Sequence, residues 1–161
     1  LRVFIPTFIV VILDQLTKLW IRDNFSLFES RNIIGNFLRF SYVENPGIAF
    51  GIRLGSMKVM VTLISIAIAL YLTFILYNSS KLVAIEKLSL SLILGGAVGN
   101  LIDRILIYIP NSTYSGVVDF IDLGFSHHRW YIFNIADSAV TIGIICYLFY
   151  STFIENKQIQ D

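Results

Sequence analysis

Four stretches of this chain are each apolar for about the 20 residues an α-helix needs to cross a hydrocarbon core roughly 30 Å thick. They run from Val3 to Ile21, Val59 to Tyr77, Leu88 to Ile109 and Phe133 to Ile154. Inside a bilayer every backbone N–H and C=O must find a partner within the chain, so each stretch is read as a transmembrane helix. A composition of 56% hydrophobic and only 14% charged residues fits lipid as the solvent. The net charge is +1 and the basic residues are scattered, which leaves no clustered basic footprint for nucleic acid. A single cysteine, Cys146, excludes an intrachain disulfide and a cysteine-based metal site. The first stretch follows Arg2 much as a signal peptide would. However, Asp14, Gln15, Thr17 and Lys18 stand where a small-residue cleavage site belongs, so a retained helix is expected.

Four antiparallel crossings bring the ends of helices 1 and 3 and the starts of helices 2 and 4 to the same side. Asp14, Asp103, Arg104 and Asp137 then gather near one membrane face, together with the two longest loops. Within those loops, Asn36 to Val43 is aromatic and β-branched and ends at the turn signal Asn45-Pro46-Gly47. Gly116 to Asp122 is a second strand candidate. The expected fold class is therefore an all-α integral membrane protein, one domain over residues 1–161, with four transmembrane helices and a small β-sheet formed by loop segments. Trp130, Tyr131 and Phe133 suit an interfacial aromatic belt, with core packing an equal alternative.

An ionisable group inside a membrane span needs a partner or a function. Asp14 and Lys18 stand at i, i+4 and can pair. Arg104 shares a helix face with Asn100, which suits binding of a backbone carbonyl or a carboxylate. Asp137 has only Phe133, Asn134, Val140 and Thr141 one turn away, none of them cationic. Asp119 is similar: its same-face strand neighbours are Val117 and Ile121, while Asp122 points to the opposite face. If Asp119 and Asp137 converge, desolvation and mutual repulsion leave one proton shared between two carboxylates. That pair suits peptide hydrolysis: the ionised member takes a proton from water, and the protonated one polarises the scissile carbonyl and later donates to the leaving amine. It equally suits the proton relay of a small ion- or proton-coupled transporter, and spacing does not separate the two. Transport predicts inverted repeats or a polar path to both faces, and neither is visible. A scaffolding role would leave both aspartates unexplained. His127-His128 is an adjacent loop pair with no His-Glu-x-x-His, so no metal is expected, and no Gly-x-Ser-x-Gly supports a serine nucleophile.

Five blocks resemble the motifs of the lipoprotein signal peptidase (signal peptidase II) family, in the family's order. They are Asp14-Gln15-Leu16-Thr17-Lys18, Asn45-Pro46-Gly47-Ile48-Ala49-Phe50, Gly95-Gly96-Ala97-Val98-Gly99-Asn100-Leu101-Ile102-Asp103-Arg104, Val117-Val118-Asp119-Phe120-Ile121-Asp122 and Phe133-Asn134-Ile135-Ala136-Asp137-Ser138. The resemblance implies an intramembrane aspartyl endopeptidase without a cofactor, with Asp119 and Asp137 as the catalytic pair. Asn45, Asn100, Arg104 and Asn134 would bind substrate or orient the dyad, supported by Asp14, Lys18, Gly96 and Asp103. The implied substrate is a bacterial prolipoprotein, cleaved just before a cysteine that carries diacylglyceryl; membrane lipids surround it and no obligate protein partner is expected. The implied location is the cytoplasmic (inner) membrane, with cytoplasmic termini and an extracytoplasmic sheet and site toward the outer leaflet. Lys and Arg are in fact more numerous on the long-loop face, which would argue the reverse orientation, but the positive-inside rule weakens for long loops.

Overall fold

A computed structural model describes residues 1–46, 58–125 and 128–155. After a short 3-10 turn at Arg2–Phe4, four long helices follow: α1 (Ile5–Asn24), α2 (Lys58–Tyr77), α3 (Ala84–Leu106) and α4 (Ile135–Phe149), the last continued by a π-helical turn at Tyr150–Glu155. All four spans are long and apolar enough to cross a membrane. Between them lie β1 (Ser30–Ile34), β2 (Leu38–Asn45), β3 (Val117–Phe125) and β4 (His128–Arg129), which form one antiparallel sheet in the order β1-β2-β3-β4.

The helices turn apolar side chains outward. Phe8, Ile9, Ile12, Leu13 and Leu16 on α1, and Leu63, Leu70, Tyr71 and Phe74 on α2, are all exposed. For a helix solvated by lipid this costs nothing, and much of what is buried between α1, α3 and α4 is small or polar instead. Gly96 shows the reason: a Cβ there would overlap the Ala136 carbonyl and the Val140 side chain, so α3 and α4 approach closely only because it has none. Two apolar clusters bracket the polar interior. Ala69, Leu72, Leu76 and Leu94 join α2 to α3. Ile21, Phe25, Tyr42, Val118 and Phe120 join the end of α1 to the sheet, so that the sheet is seated on the helix bundle.

Several boundaries differ from the sequence expectation for identifiable reasons. Helix α3 starts at Ala84 rather than Leu88, because Glu86 interrupts the hydropathy yet belongs to the first turn, where its carboxylate accepts the Val83 N–H at 3.0 Å. It stops at Leu106 rather than Ile109, as the chain turns toward Asn111, which has a left-handed φ of 62°. Helix α4 begins at Ile135 rather than Phe133. Phe133 is drawn into the sheet, where its carbonyl accepts from Phe120 and Ile121, and Asn134 becomes the N-cap. Strand β1 was not foreseen, since Ser-Arg-Asn-Ile-Ile is exposed throughout and carries no alternation. Strand β2 runs Leu38–Asn45 instead of Asn36–Val43, and β3 extends to Phe125. Positions 47–50 of the turn and motif around Asn45, and His127 of the histidine pair, lie outside the described residues.

Candidate active site

Asp119 enters from the middle of β3, where the ladder sets Val43 opposite it and Asn45 opposite Val117. Asn45 is thus a diagonal neighbour on the same face, and its Nδ2 donates to Asp119 Oδ2 at 3.2 Å. Asp137 enters from the first turn of α4. Its backbone N–H donates to Asn134 Oδ1 at 2.8 Å, and its carboxylate accepts the Asn134 N–H at 3.3 Å, a reciprocal capping box. Asn134 is therefore the helix cap, not a residue one turn back on the same helix. With its side-chain oxygen committed to the cap, its Nδ2 is left pointing at the sheet, where it meets Asp119 Oδ1 at 2.7 Å and the Val118 carbonyl at 3.2 Å. Asn100 on α3 completes the bridge. Its Nδ2 donates to Asp137 Oδ1 at 2.7 Å and its Oδ1 accepts from Asn134 at 3.0 Å. Both carboxylates are thus held by neutral amides.

Behind the amides lies a buried charged hub. Lys18 Nζ donates to Asn100 Oδ1 at 3.0 Å and pairs with Asp14 at 2.8 Å and Asp103 at 2.9 Å, all three ionic side chains being nearly inaccessible. Each hub carboxylate also holds the backbone next to a candidate carboxylate. Asp14 accepts the Ala136 N–H at 2.9 Å, and Asp103 accepts the Val118 N–H at 3.1 Å. Gln15, which sequence reasoning did not single out, donates to Asp14, Asp103 and the Gly99 carbonyl. The i, i+4 pairing of Asp14 with Lys18 is as expected; the bond from Lys18 to Asp103 required the tertiary packing of α1 on α3.

A cavity of about 440 Å³ opens over this arrangement, lined by Asn45, Asn100, Arg104, Asp119 and Asp137 and by the apolar Ile68 and Val140. Tyr131 lines it too, at a position read only as part of an aromatic belt. Arg104 lines the cavity, its charge interacting with Asp137, Asp103 and Asp119, and among the described residues its side chain makes no hydrogen bond. Asp122 stands apart from this group: it is paired with Arg129 at 2.6 Å and accepts from Ser41 at 3.0 Å. Its opposite-face placement in the strand holds.

Asp119 is only 3% exposed. Burial away from water, followed by the negative charge of Asp137, pushes its carboxyl up to about 7, against the hydrogen bonds from Asn45 and Asn134 and the charge of Lys18. Near neutral pH the site therefore contains a carboxyl group able to carry a proton beside a second carboxyl bound by amide donors. That combination can both accept and donate a proton across one cavity.

Comparison with known proteins converges on one family. The family model described as "Signal peptidase (SPase) II" matches residues 6–153. The lipoprotein signal peptidase of Syntrophomonas wolfei subsp. wolfei is 43% identical over 87% of this chain and 85% of its own length. That of Lactobacillus johnsonii is 38% identical over 95% of this chain and 93% of its own. A bacterial membrane enzyme solved by the in meso method superposes with a TM-score of 0.80 at 32% identity, covering 95% of this chain and 94% of the other. On the sequence match, the shared fold and four helices able to span a membrane, this chain belongs to the signal peptidase II family of membrane-embedded peptidases.

Proposed function

We propose that this chain is an aspartyl endopeptidase that removes the signal peptide of diacylglyceryl-modified bacterial prolipoproteins, cleaving just before the lipidated cysteine with Asp119 and Asp137 as the catalytic pair. The observation that carries the reading is that two carboxylates from different elements are both bound by Asn134, Asp137 through its backbone N–H and Asp119 through its side-chain amide, and line one cavity. Asp119 holds the shared proton in this reading, as its raised affinity for it favours. Asp137 acts as base, its carboxylate held by the N-cap N–H of Asn134 at the positive end of α4.

Water gives its proton to Asp137 as its oxygen attacks the scissile carbonyl. Asp119 polarises the carbonyl oxygen and passes its proton to the leaving amine as the C–N bond breaks. The products are a free carboxyl and a free amine, and the dyad again holds one proton, now on Asp137. Arg104, which lines the cavity, is suited to hold the peptide backbone, while Asn45, Asn100 and Asn134 orient the carboxylates. Lys18, Asp14, Asp103 and Gly96 support them from behind, within a single membrane-embedded peptidase unit covering residues 1–161.

Purified protein in detergent is expected to cleave a diacylglyceryl-modified prolipoprotein and to leave the unlipidated form intact. Equal cleavage of both forms would remove the lipid from the specificity. We place the site toward the outer leaflet of the bacterial cytoplasmic membrane with both termini in the cytoplasm. A reporter fused to the C-terminus is expected to be active only in the cytoplasm, and activity confined to the outside would reverse the orientation.

A further inference from the structure

A second cluster of charged groups stands at the end of β2, outside the site described above. The Glu44 carboxylate, 5% exposed, is ion-paired with Arg22 from the last turn of α1. It also accepts from Tyr42 Oη at 2.6 Å, from the Ser115 N–H at 2.7 Å and from Ser115 Oγ at 2.6 Å. Arg22 in turn donates to Tyr42 Oη at 3.1 Å and Thr113 Oγ1 at 2.8 Å, and lies 3.7 Å over the Tyr114 ring. Burial alone would raise the Glu44 carboxyl, but hydrogen bonds from Ser115 and Tyr42 and the Arg22 charge hold it below the usual range. A buried carboxylate this fully engaged is costly to assemble, and no step of the proposed chemistry uses it.

Its position indicates what it does. Asn45 follows Glu44 directly, and Gly116 follows Ser115 directly. A Cβ at Gly116 would overlap the backbone of Asn45, so the two segments are in direct backbone contact, with Asn45 set opposite Val117 in the ladder. The bond from Asn45 to Asp119 is 3.2 Å, at the long end of the N–H···O range, so an outward shift of a few tenths of an ångström breaks it. We propose that Glu44 is a positioning residue for the reaction: by clamping residues 113–115 to α1 and β2, it holds Asn45 within hydrogen-bond reach of Asp119. The proposal rests on the reading of Asp119 and Asp137 as the dyad.

The charged groups that bear on Asp119 are Asp137 from α4, Lys18 from α1 and Arg104 from α3, and the amides are Asn45 and Asn134. Of these, Asn45 is the one that directly follows Glu44 in the chain. Because Asn45 stabilises the ionised carboxylate, loosening it moves the alkaline limb of kcat/KM to higher pH and lowers turnover by about tenfold, the scale of one hydrogen bond to a charged group. The experiment is a set of pH profiles of kcat/KM on the diacylglyceryl-modified prolipoprotein for wild type, Glu44→Ala, Asn45→Ala and the double variant. The single variants are each expected to displace the limb upward, and the double variant no further than Asn45→Ala alone. A wild-type limb in Glu44→Ala, or additive displacement in the double variant, overturns the proposal. If Glu44→Ala does not fold, Glu44→Gln keeps one carbonyl acceptor and is read the same way: a smaller upward displacement supports the clamp, and a wild-type limb removes it. Asp119→Asn assayed alongside separates the two levels. Cleavage by that variant sinks the dyad itself, whereas an inert Asp119→Asn beside an unshifted Glu44 variant sinks only the clamp.

Discussion

Asp119 illustrates how a single side chain takes on its chemistry from its surroundings. Burial away from water, and then the negative charge of Asp137, push its carboxyl up to about 7 instead of the ordinary carboxylate range. Two consequences of opposite origin follow. If the protonated form donates to the leaving amine, kcat/KM falls about tenfold per unit as pH rises above about 7. A flat profile between pH 6 and 9 would contradict that role. For stability, a folded-state value above the unfolded one gives a contribution fully present below about pH 4 and lost as pH rises through about 7. Asp119→Asn cannot ionise, so its thermal stability in detergent relative to wild type is expected to improve between pH 5 and pH 8.

At the scale of elements, the helices and the sheet are joined by hydrogen bonds rather than by apolar contact alone. The Lys18 ammonium on α1 is the shared partner of Asp14 and Asp103, and these carboxylates hold the first turn of α4 and the second residue of β3. Lys18→Met keeps the side-chain length but leaves two buried carboxylates without their cation. Loss on the order of 3–5 kcal/mol is expected, the usual cost of breaking a buried pair, read as a lowered unfolding temperature in detergent. An unchanged transition would show that the hub does not hold the elements together. The helices were legible in the sequence because their apolar length is set by the bilayer, as was the opposite-face placement of Asp119 and Asp122, which follows from strand alternation. The pairing of Asp14 with Lys18 was legible for the same local reason. The cap at Asn134 was not: apolar residues stand on both sides of it, and only the hydrogen bonds of Phe133 to β3 show where the helix begins. Lys18 to Asp103, and the cluster around Glu44, depend on elements far apart in the chain and leave no local pattern to read.

At the scale of the whole molecule, the outward sides of the helices are apolar, while Asp14, Lys18, Asp103, Arg104 and Asp137 collect at the end of the bundle that carries the sheet. The cavity sits there, between α2, α3, α4 and β3, with the seated sheet beside it. In the proposed reaction a peptide entering this cavity would meet Asp119, which is buried from water, where electrostatic effects are stronger than in solution. The measurement that tests the dyad most directly is turnover of a diacylglyceryl-modified prolipoprotein by Asp119→Asn and Asp137→Asn, each first shown to insert and to unfold cooperatively like wild type. Both folded variants are expected to be inert, with cleavage below about one part in a thousand of wild type, because an amide cannot perform a carboxylate's proton transfer. Robust cleavage by either one would contradict the assignment of that aspartate.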